Sequence, residues 1–313
     1  MEYSSLQTLQ TFTLDSLPNL DIAVLGALER FSEESLPAFK PATVGKRPLV
    51  IGSGNALTTG RILFRAADAE FADESTYQEE LNTGKDINSI VIISASGGKH
   101  AVGIAKELEE NNLPLWLLTN NEDAPARERI NSERVVVFLK NREPYTYNVS
   151  TYFSMIFSET RENPEEVRVF ITNTVEAEIP ENLEEYDSFY FIIPPKFHLA
   201  RDMFLTKFDE LFGSQVTGRV FTYGETKHAK TVVPSERELF ISFGETQTSF
   251  GIPENRVTIH LPLGAGYGAF LAVGYYVIGR IQSQMPGYFK ENIARYTEEA
   301  SRLFNQDIQP IVE

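Results

Sequence analysis

Ser94-Ala95-Ser96-Gly97-Gly98-Lys99 is the stretch of this 313-residue chain whose residue types are best suited to holding a ligand. It closes the apolar, β-branched run 88–93 and precedes Ala101, Val102, Ile104, Ala105 and Leu108, which recur at helical spacing. A small-residue loop between a buried strand and a helix leaves backbone N–H groups unpaired at the positive end of the helix dipole. The hydroxyls of Ser94 and Ser96 add donors, Gly97 lets a ligand approach the backbone, and Lys99 supplies a full positive charge. The chemistry this favours is capture of a phosphate monoester. The same residues also make an ordinary strand-to-helix turn, where Ser and Gly are common for steric reasons. The GxxxxGK[ST] spacing of a P-loop is absent, and after Gly52-Ser53-Gly54 a leucine, Leu57, stands where a GxGxxG fingerprint needs its third Gly.

The elements that must position this loop are read from the apolar pattern. Strands at 49–51, 90–93, 113–118 and 135–139 alternate with helices at 56–65, 100–111 and 124–130. Strict alternation implies a parallel sheet covered on both faces, with ligands at the carboxyl ends of the strands. Ser53 and Asn55, in the turn after the first strand, open at that same edge. The second half reads as a worn copy, with strands at 188–193, 219–222, 239–243 and 257–261 and helices at 198–212 and 267–283. Its first turn is Pro194-Pro195-Lys196, and Pro lacks the N–H that a phosphate would use. One anion pocket per chain is therefore expected. Leu17, Leu20, Val24, Leu25, Leu28 and Phe31 predict an N-terminal helical arm, packed on its own domain or on a second subunit. The expected division is an arm at 1–45, a first domain at 46–160, a second at 161–285 and a helical tail at 286–313. The fold class is α/β, two doubly wound parallel-sheet domains of the flavodoxin-like αβα type behind the arm.

Lys+Arg 28 against Asp+Glu 44 leaves a net charge of −16. A balance this acidic argues against nucleic acid as a partner, because backbone phosphates need a basic face. No apolar run is long enough for a membrane span, and the N-terminus lacks the basic start and apolar stretch of a signal peptide, so a cytoplasmic protein is expected. With no cysteine there is neither disulfide nor thiolate chemistry. His100, His198, His228 and His260 form no HxxxH pair, so neither a metal nor any other cofactor is expected.

Ser94-Ala95-Ser96-Gly97, closing a strand ahead of an Ala-Lys-Glu-Leu helix and a Pro-Leu-Trp-Leu-Leu-Thr-Asn-Asn strand, resembles the SIS (sugar isomerase) domain. That family's hallmark is a strand ending in Ser-x-Ser-Gly, then a polar residue and Thr; here Gly98 and Lys99 occupy the last two places. The likeness covers roughly residues 48–285 and implies two SIS-type domains and a phosphorylated sugar as ligand.

Lys207-Phe208-Asp209-Glu210 places Lys207 and Glu210 on one helical face, and Glu225-Thr226-Lys227-His228 follows the next strand. This pairing is similar to the isomerase half of glucosamine-6-phosphate synthase, where a Lys-x-x-Glu helix is followed by Glu-Leu-Lys-His-Gly. The resemblance makes Glu210 the proton-transfer base and His228 the ring-opening group. It also implies a homodimer, since the family commonly supplies that histidine from a neighbouring subunit. Lys290 stands where the family has a C-terminal lysine over the sugar. The segment 143–151 is similar to the Glu-Ile-Gly-Val-Ala-Ser-Thr segment that contacts the sugar, which carries over Ser150 and Thr151. Read without the family, Lys207 and Glu210 are a solvated helix pair, Ser150 and Thr151 cap a helix, and His228 and Lys290 are surface residues.

Isomerising an aldose phosphate to a ketose phosphate needs a group that opens the ring, a base that carries a proton between C1 and C2, and a donor for the enediolate oxygen. The expected function is such a cofactor-independent isomerase of a hexose or amino-hexose phosphate, like the free-standing phosphoglucose/phosphomannose isomerases. The alternatives are a fructosamine-phosphate deglycase and a sugar-phosphate sensor without turnover.

Overall fold

A computed structural model describes residues 4–83 and 86–313; of Lys99 it describes the backbone, and the side chain lies outside the described set. The chain divides into two compact units: one spans Glu34–Lys140 and Thr151–Arg161, the other Met1–Glu33, Asn141–Ser150 and Glu162–Glu313.

In the first of these, the N-terminal sheet unit, β1 (Pro48–Ile51), β2 (Glu70–Ala72), β3 (Ser89–Ile93), β4 (Leu115–Thr119) and β5 (Val135–Val137) form a five-stranded sheet in the order β2-β1-β3-β4-β5. All of its pairings are parallel. β1 and β3 are buried along their whole length, as their unbroken apolar runs require. Successive side chains point to opposite faces. Leu49, Ile51, Ile90, Ile92 and Leu117 pack with Ala101, Ile104, Ala105 and Leu108 of the helix Lys99–Leu108. The helix Asn55–Leu63 meets Val50 and Ile93 through Gly60, where a Cβ would lie 2.7 Å from Val50 Cγ1. β2 escapes the sequence pattern because it is a short, half-exposed edge strand. The helix expected at 124–130 is a 3-10 turn, Pro125–Arg129.

The C-terminal sheet unit contains β6 (Glu143–Pro144), β7 (Ser188–Ile193), β8 (Thr217–Thr222), β9 (Glu238–Phe243), β10 (Arg256–Ile259) and β11 (Ile311–Val312). β7 to β10 build a parallel sheet in the order β10-β9-β7-β8, and β11 pairs antiparallel with β6. Counting from the first strand of each sheet, both follow the order 2-1-3-4, so the second half does repeat the first. Its core is aromatic: Phe191 packs edge-on against Phe204, Phe208 and Phe243, and Phe197 stacks on Phe270 at 4.2 Å between centroids.

The predicted N-terminal arm is two helices, Ser5–Thr11 and Leu20–Glu33, and both belong to this C-terminal sheet unit. Ser4 and Gln7 form a reciprocal capping box on the first. The second lies against the helix Tyr267–Gln284, which is buried on nearly every side. Gln282 Oε1 accepts from the amide of Leu20 at 2.8 Å, and Gly279 has no room for a side chain because a Cβ there would fall 2.0 Å from the amide nitrogen of Asp21. In the charged stretch 161–166 Asn163 caps the helix Pro164–Phe170, its side chain accepting from the amides of Glu165 and Glu166. The helix Val149–Thr160, the exit helix that leads out of the N-terminal sheet unit, cannot start earlier, because Thr146 and Asn148 have φ of 75° and 46°.

Candidate functional site

In the N-terminal sheet unit the chain leaves β1 towards β2 on one side and returns to β3 on the other, so the sheet order reverses between β1 and β3. The loops Ser53–Gly54 and Ser94–Gly98 leave the carboxyl ends of these two neighbouring strands. The Ser94 loop is pinned from behind. Asn120 N and Thr119 Oγ1 donate to Ala95 O at 3.0 Å, Asn121 Nδ2 to Ser96 O at 3.0 Å, and Ala126 N to Gly97 O at 3.0 Å. Gly97 has φ 56°, and a Cβ there would lie 2.4 Å from Ala124 Cβ, so only glycine fits. Among the described residues nothing accepts from the amides of Ala95 and Ser96, and the Ser96 side chain is exposed. Ser94 and Ser96 hydroxyls accept from the amides of Gly97 and Gly98 at 3.2 Å, which leaves their protons available. Ser53 is differently employed: its hydroxyl donates to the Glu74 carboxylate. Asn55 starts the helix after β1.

The C-terminal sheet unit holds the carboxylates. Glu143 is buried, at 3% exposure, and its two oxygens accept from Val149 N at 2.8 Å and Ser150 N at 2.7 Å, at the start of the helix Val149–Thr160. Burial raises its carboxyl above the ordinary range, against the pull of these bonds and of Lys207. Lys207 is 1% exposed, and its Nζ donates to Thr146 O at 2.6 Å and to Glu210 Oε2 at 2.5 Å. Thr146 is a β-branched residue at φ 75°, a strained conformation, and it is this conformation that carries the carbonyl facing Lys207. The Glu210 side chain, 25% exposed, lines a cavity of about 930 Å³ together with Tyr145, Thr146, Tyr288, Phe289 and Tyr296. Desolvation raises the Glu210 carboxyl, and the Lys207 ammonium opposes it. A carboxylate displaced towards neutrality, held by a buried cation and facing a partly aromatic cavity, is equipped to accept and return a proton.

Lys207 and Glu210 are thus brought together as the i, i+3 spacing predicts, with Lys207 buried instead of solvated. His228 is not with them. Glu210 lies on the helix that leads into the amino end of β8, and His228 is exposed in the turn that leaves its carboxyl end. Six residues of strand at about 3.3 Å each put roughly 20 Å between those ends. Lys290 lines a separate, smaller cavity of about 100 Å³ with Asn19, Gln282 and Met285, and burial lowers its ammonium below the ordinary range. Ser150 and Thr151 are buried, and Ser150 Oγ accepts from Asn141 N at 2.7 Å, tying down the start of the exit helix. Glu143, Thr146 and the tail residues Tyr288 and Tyr296 were not singled out by sequence. A glutamate a few residues ahead of a helix is a weak signal, and nothing in the residue type Thr announces φ 75°.

The expectation of one pocket per chain does not extend to cavities. A second opening of about 720 Å³ lies at the carboxyl edge of the C-terminal sheet, between the exits of β7 and β9. Among the described residues no cluster of His, Asp and Glu is arranged to hold a metal ion, and no helix is long and apolar enough to cross a membrane.

No family model matches the chain, and no curated protein matches it. Solved structures do. Glucosamine-6-phosphate deaminase from Thermotoga maritima superposes with a TM-score of 0.60 at 13% identity, covering 87% of this chain and 95% of that one. The C-terminal domain of glucosamine-fructose-6-phosphate aminotransferase from Francisella tularensis gives 0.57 at 13%, covering 92% and 93%. Tagatose-6-phosphate ketose/aldose isomerase from Escherichia coli gives 0.57 at 13%, covering 91% and 93%. At these identities the likeness establishes the fold, which is that of the phosphosugar isomerases and SIS-domain proteins.

Proposed function

We propose that the chain is a cofactor-independent aldose-ketose isomerase of a hexose or amino-hexose phosphate. The observation that carries this reading is Glu210, a carboxylate of raised proton affinity on the wall of a cavity, bonded to a buried lysine. In the proposed cycle Glu210 takes the proton from C2 of the open-chain aldose and returns it to C1, while the single hydroxyl proton of O2 passes to O1, leaving a carbonyl at C2 and a hydroxyl at C1. A fold shared with glucosamine-6-phosphate deaminase and tagatose-6-phosphate isomerase supports phosphorylated sugars as the substrate class. The amides of Ala95 and Ser96 and the hydroxyls of Ser94 and Ser96 support phosphate recognition, and Lys99, by its position at the start of the following helix, is proposed to add charge.

His228 is proposed to act in ring opening from a second copy of the chain, because β8 separates it from its own Glu210. A homodimer follows from that assignment. The test is Glu210→Gln: with glucose 6-phosphate or fructose 6-phosphate in deuterated water, exchange at C2 or C1 should fall by about 10²–10⁴ with sugar-phosphate affinity nearly unchanged. Exchange at the wild-type rate removes Glu210 from the mechanism.

A second reading is a sugar-phosphate-binding protein without turnover. It is favoured by Lys290, which lines a different cavity from Glu210. Binding of a hexose phosphate with no C2 exchange in the wild-type chain would decide for it.

A further inference from the structure

In the C-terminal sheet unit the strand order reverses between β7 and β9. At such a point the loops leaving the two strands diverge to opposite sides of the sheet and a crevice must open between them. Here the crevice is a cavity of about 720 Å³, within the range of small-molecule sites. Its floor is Ile192, Ile193 and Phe243, the ends of the two strands, and its walls are the turn Pro194–Lys196, the loop Gly244–Ser249 and the exit of β10.

The loop Gly244–Ser249 makes up for the donors that the two prolines lack. Gly244 leaves β9 at φ 82°, with its own amide still bonded to Ile259 O. Gln247 is buried and folds back on the loop: its Oε1 accepts from Ser249 N at 3.1 Å and Phe250 N at 2.9 Å, and its Nε2 donates to Phe250 O at 3.1 Å. That clamp fixes the segment before any ligand arrives. Among the described residues nothing accepts from the amides of Glu245, Thr246, Gln247 and Thr248. The Thr246 hydroxyl accepts from Thr258 and keeps its own proton, and Thr248 is exposed. From the opposite wall Lys196 brings an ammonium, resting 3.1 Å from Ala265 O and 4.6 Å from the centre of the Phe197 ring. Glu245, exposed on the same loop, also lines the crevice and adds one negative charge; against it stand the Lys196 ammonium, four amides with no acceptor among the described residues and a set of hydroxyls, a donor set that suits an anionic group on a hydroxyl-rich body.

We infer that the crevice between β7 and β9 is a second binding site, for a small phosphorylated polyol, with Lys196 and the loop 244–249 holding its phosphate. The amide donors come from a different loop than the one whose prolines argued against a pocket.

The test is the stoichiometry and affinity of glucose 6-phosphate and of inorganic phosphate on the full chain, by calorimetric titration. Lys196→Glu and Thr248→Asp each place a negative charge at an exposed position of the crevice, and Ser96→Ala addresses the other loop. The expected result is two glucose 6-phosphate sites per wild-type chain, one of them weakened at least tenfold by Lys196→Glu and by Thr248→Asp and unaffected by Ser96→Ala. Circular dichroism and an unchanged urea midpoint establish that the variants are folded. If both crevice variants bind with wild-type stoichiometry and affinity, if the only site is the one Ser96→Ala weakens, or if the wild-type chain takes up neither probe, the inference is overturned.

Discussion

The Lys207 ammonium lies 2.5 Å from Glu210 Oε2, and the two ends of this pair face different surroundings. The lysine is 1% exposed and the glutamate 25% exposed, so the cation is enclosed and the carboxylate looks into the cavity. Thr146 O takes a second bond from the ammonium, at 2.6 Å, which fixes its position. A solvated i, i+3 pair would contribute a few tenths of a kcal/mol. This one orients a proton-transfer group.

Replacing Lys207 by Met removes the cation and leaves both acceptors behind. Thr146 O loses a buried donor and Glu210 loses the group that lowers its proton affinity. The expected outcome is a loss of about 1–3 kcal/mol in urea unfolding, together with a Glu210 carboxyl that titrates at higher pH than in the wild type. Carbon NMR of the glutamate side chains reads the second effect, and an unshifted titration would dissociate Lys207 from Glu210.

Asp21 predicts a pH dependence of stability. It is 5% exposed, and its Oδ1 meets no hydrogen-bond donor among the described residues. Burial raises its carboxyl, against the Ile22 amide and Arg280. A raised folded value means that the native chain binds the proton more tightly than the unfolded chain. The contribution is therefore complete below the unfolded value of about 3.9 and is lost as pH rises through the folded one. Glu143 and Glu210 are raised as well and act with the same sign. Unfolding free energy should decline as pH rises above about 4 on account of these groups, and Asp21→Asn should flatten the slope. A variant with the wild-type slope would assign the effect to the other two.

The parallel sheets and their alternating helices were legible because the buried strands β1, β3 and β7 are apolar nearly throughout and β9 is broken only by Glu238 and Ser242. The loop at Ser94 was legible as the turn between a buried strand and a helix, which small residues at the end of such a run favour. β2 was hidden, since an edge strand of three residues, two of them half-exposed, carries no pattern. Within the candidate site, spacing put Lys207 and Glu210 on one helical face and the family resemblance gave them a role, but the burial of Lys207 is accompanied by its bond to Thr146 O, and no residue type announces the backbone conformation of Thr146. The seat of the N-terminal helices was open for the same reason: amphipathic spacing shows that Leu20, Val24 and Leu28 need cover without saying which unit provides it. Gly279 carries that information, and it becomes readable only once Asp21 is seen against it.

Gly279 accordingly tests the placement of the arm. A Cβ at this position would stand 2.0 Å from Asp21 N, a backbone atom with no freedom to swing aside. Gly279→Ala gains roughly 1 kcal/mol of helix propensity for the helix Tyr267–Gln284 and should nonetheless destabilise the chain by about 1–3 kcal/mol. Limited proteolysis should then cut ahead of Leu20 faster than in the wild type. A neutral or stabilised variant would contradict the contact.

Gly97 and Ser96 separate folding from ligand capture in the loop after β3. Gly97→Ala combines φ 56° with a clash against Ala124 and should cost about 2–4 kcal/mol. Ser96→Ala, at an exposed position, should leave the urea midpoint in place. Its effect should be a smaller thermal shift with hexose phosphates than the wild type shows, since a ligand at about 100 times its Kd adds about 2.7 kcal/mol. Equal shifts in wild type and Ser96→Ala would take that hydroxyl out of phosphate binding.

The separation of Glu210 from His228 along β8 permits a complementation experiment. If each site takes its glutamate from one chain and its histidine from a second, Glu210→Gln and His228→Ala are each inactive as homodimers, for different reasons. Mixed under conditions that exchange subunits, equal amounts give half mixed dimers. In a mixed dimer one site receives both mutations and the other receives neither, because the intact Glu210 comes from the His228→Ala chain and the intact His228 from the Glu210→Gln chain. Isomerase activity should therefore return to about one quarter of wild type, from two preparations that show none alone. If both residues serve a site within one chain, every site in the mixture keeps one lesion and no activity returns. Light scattering on the wild type completes the test, since a monomer cannot exchange a histidine with anything.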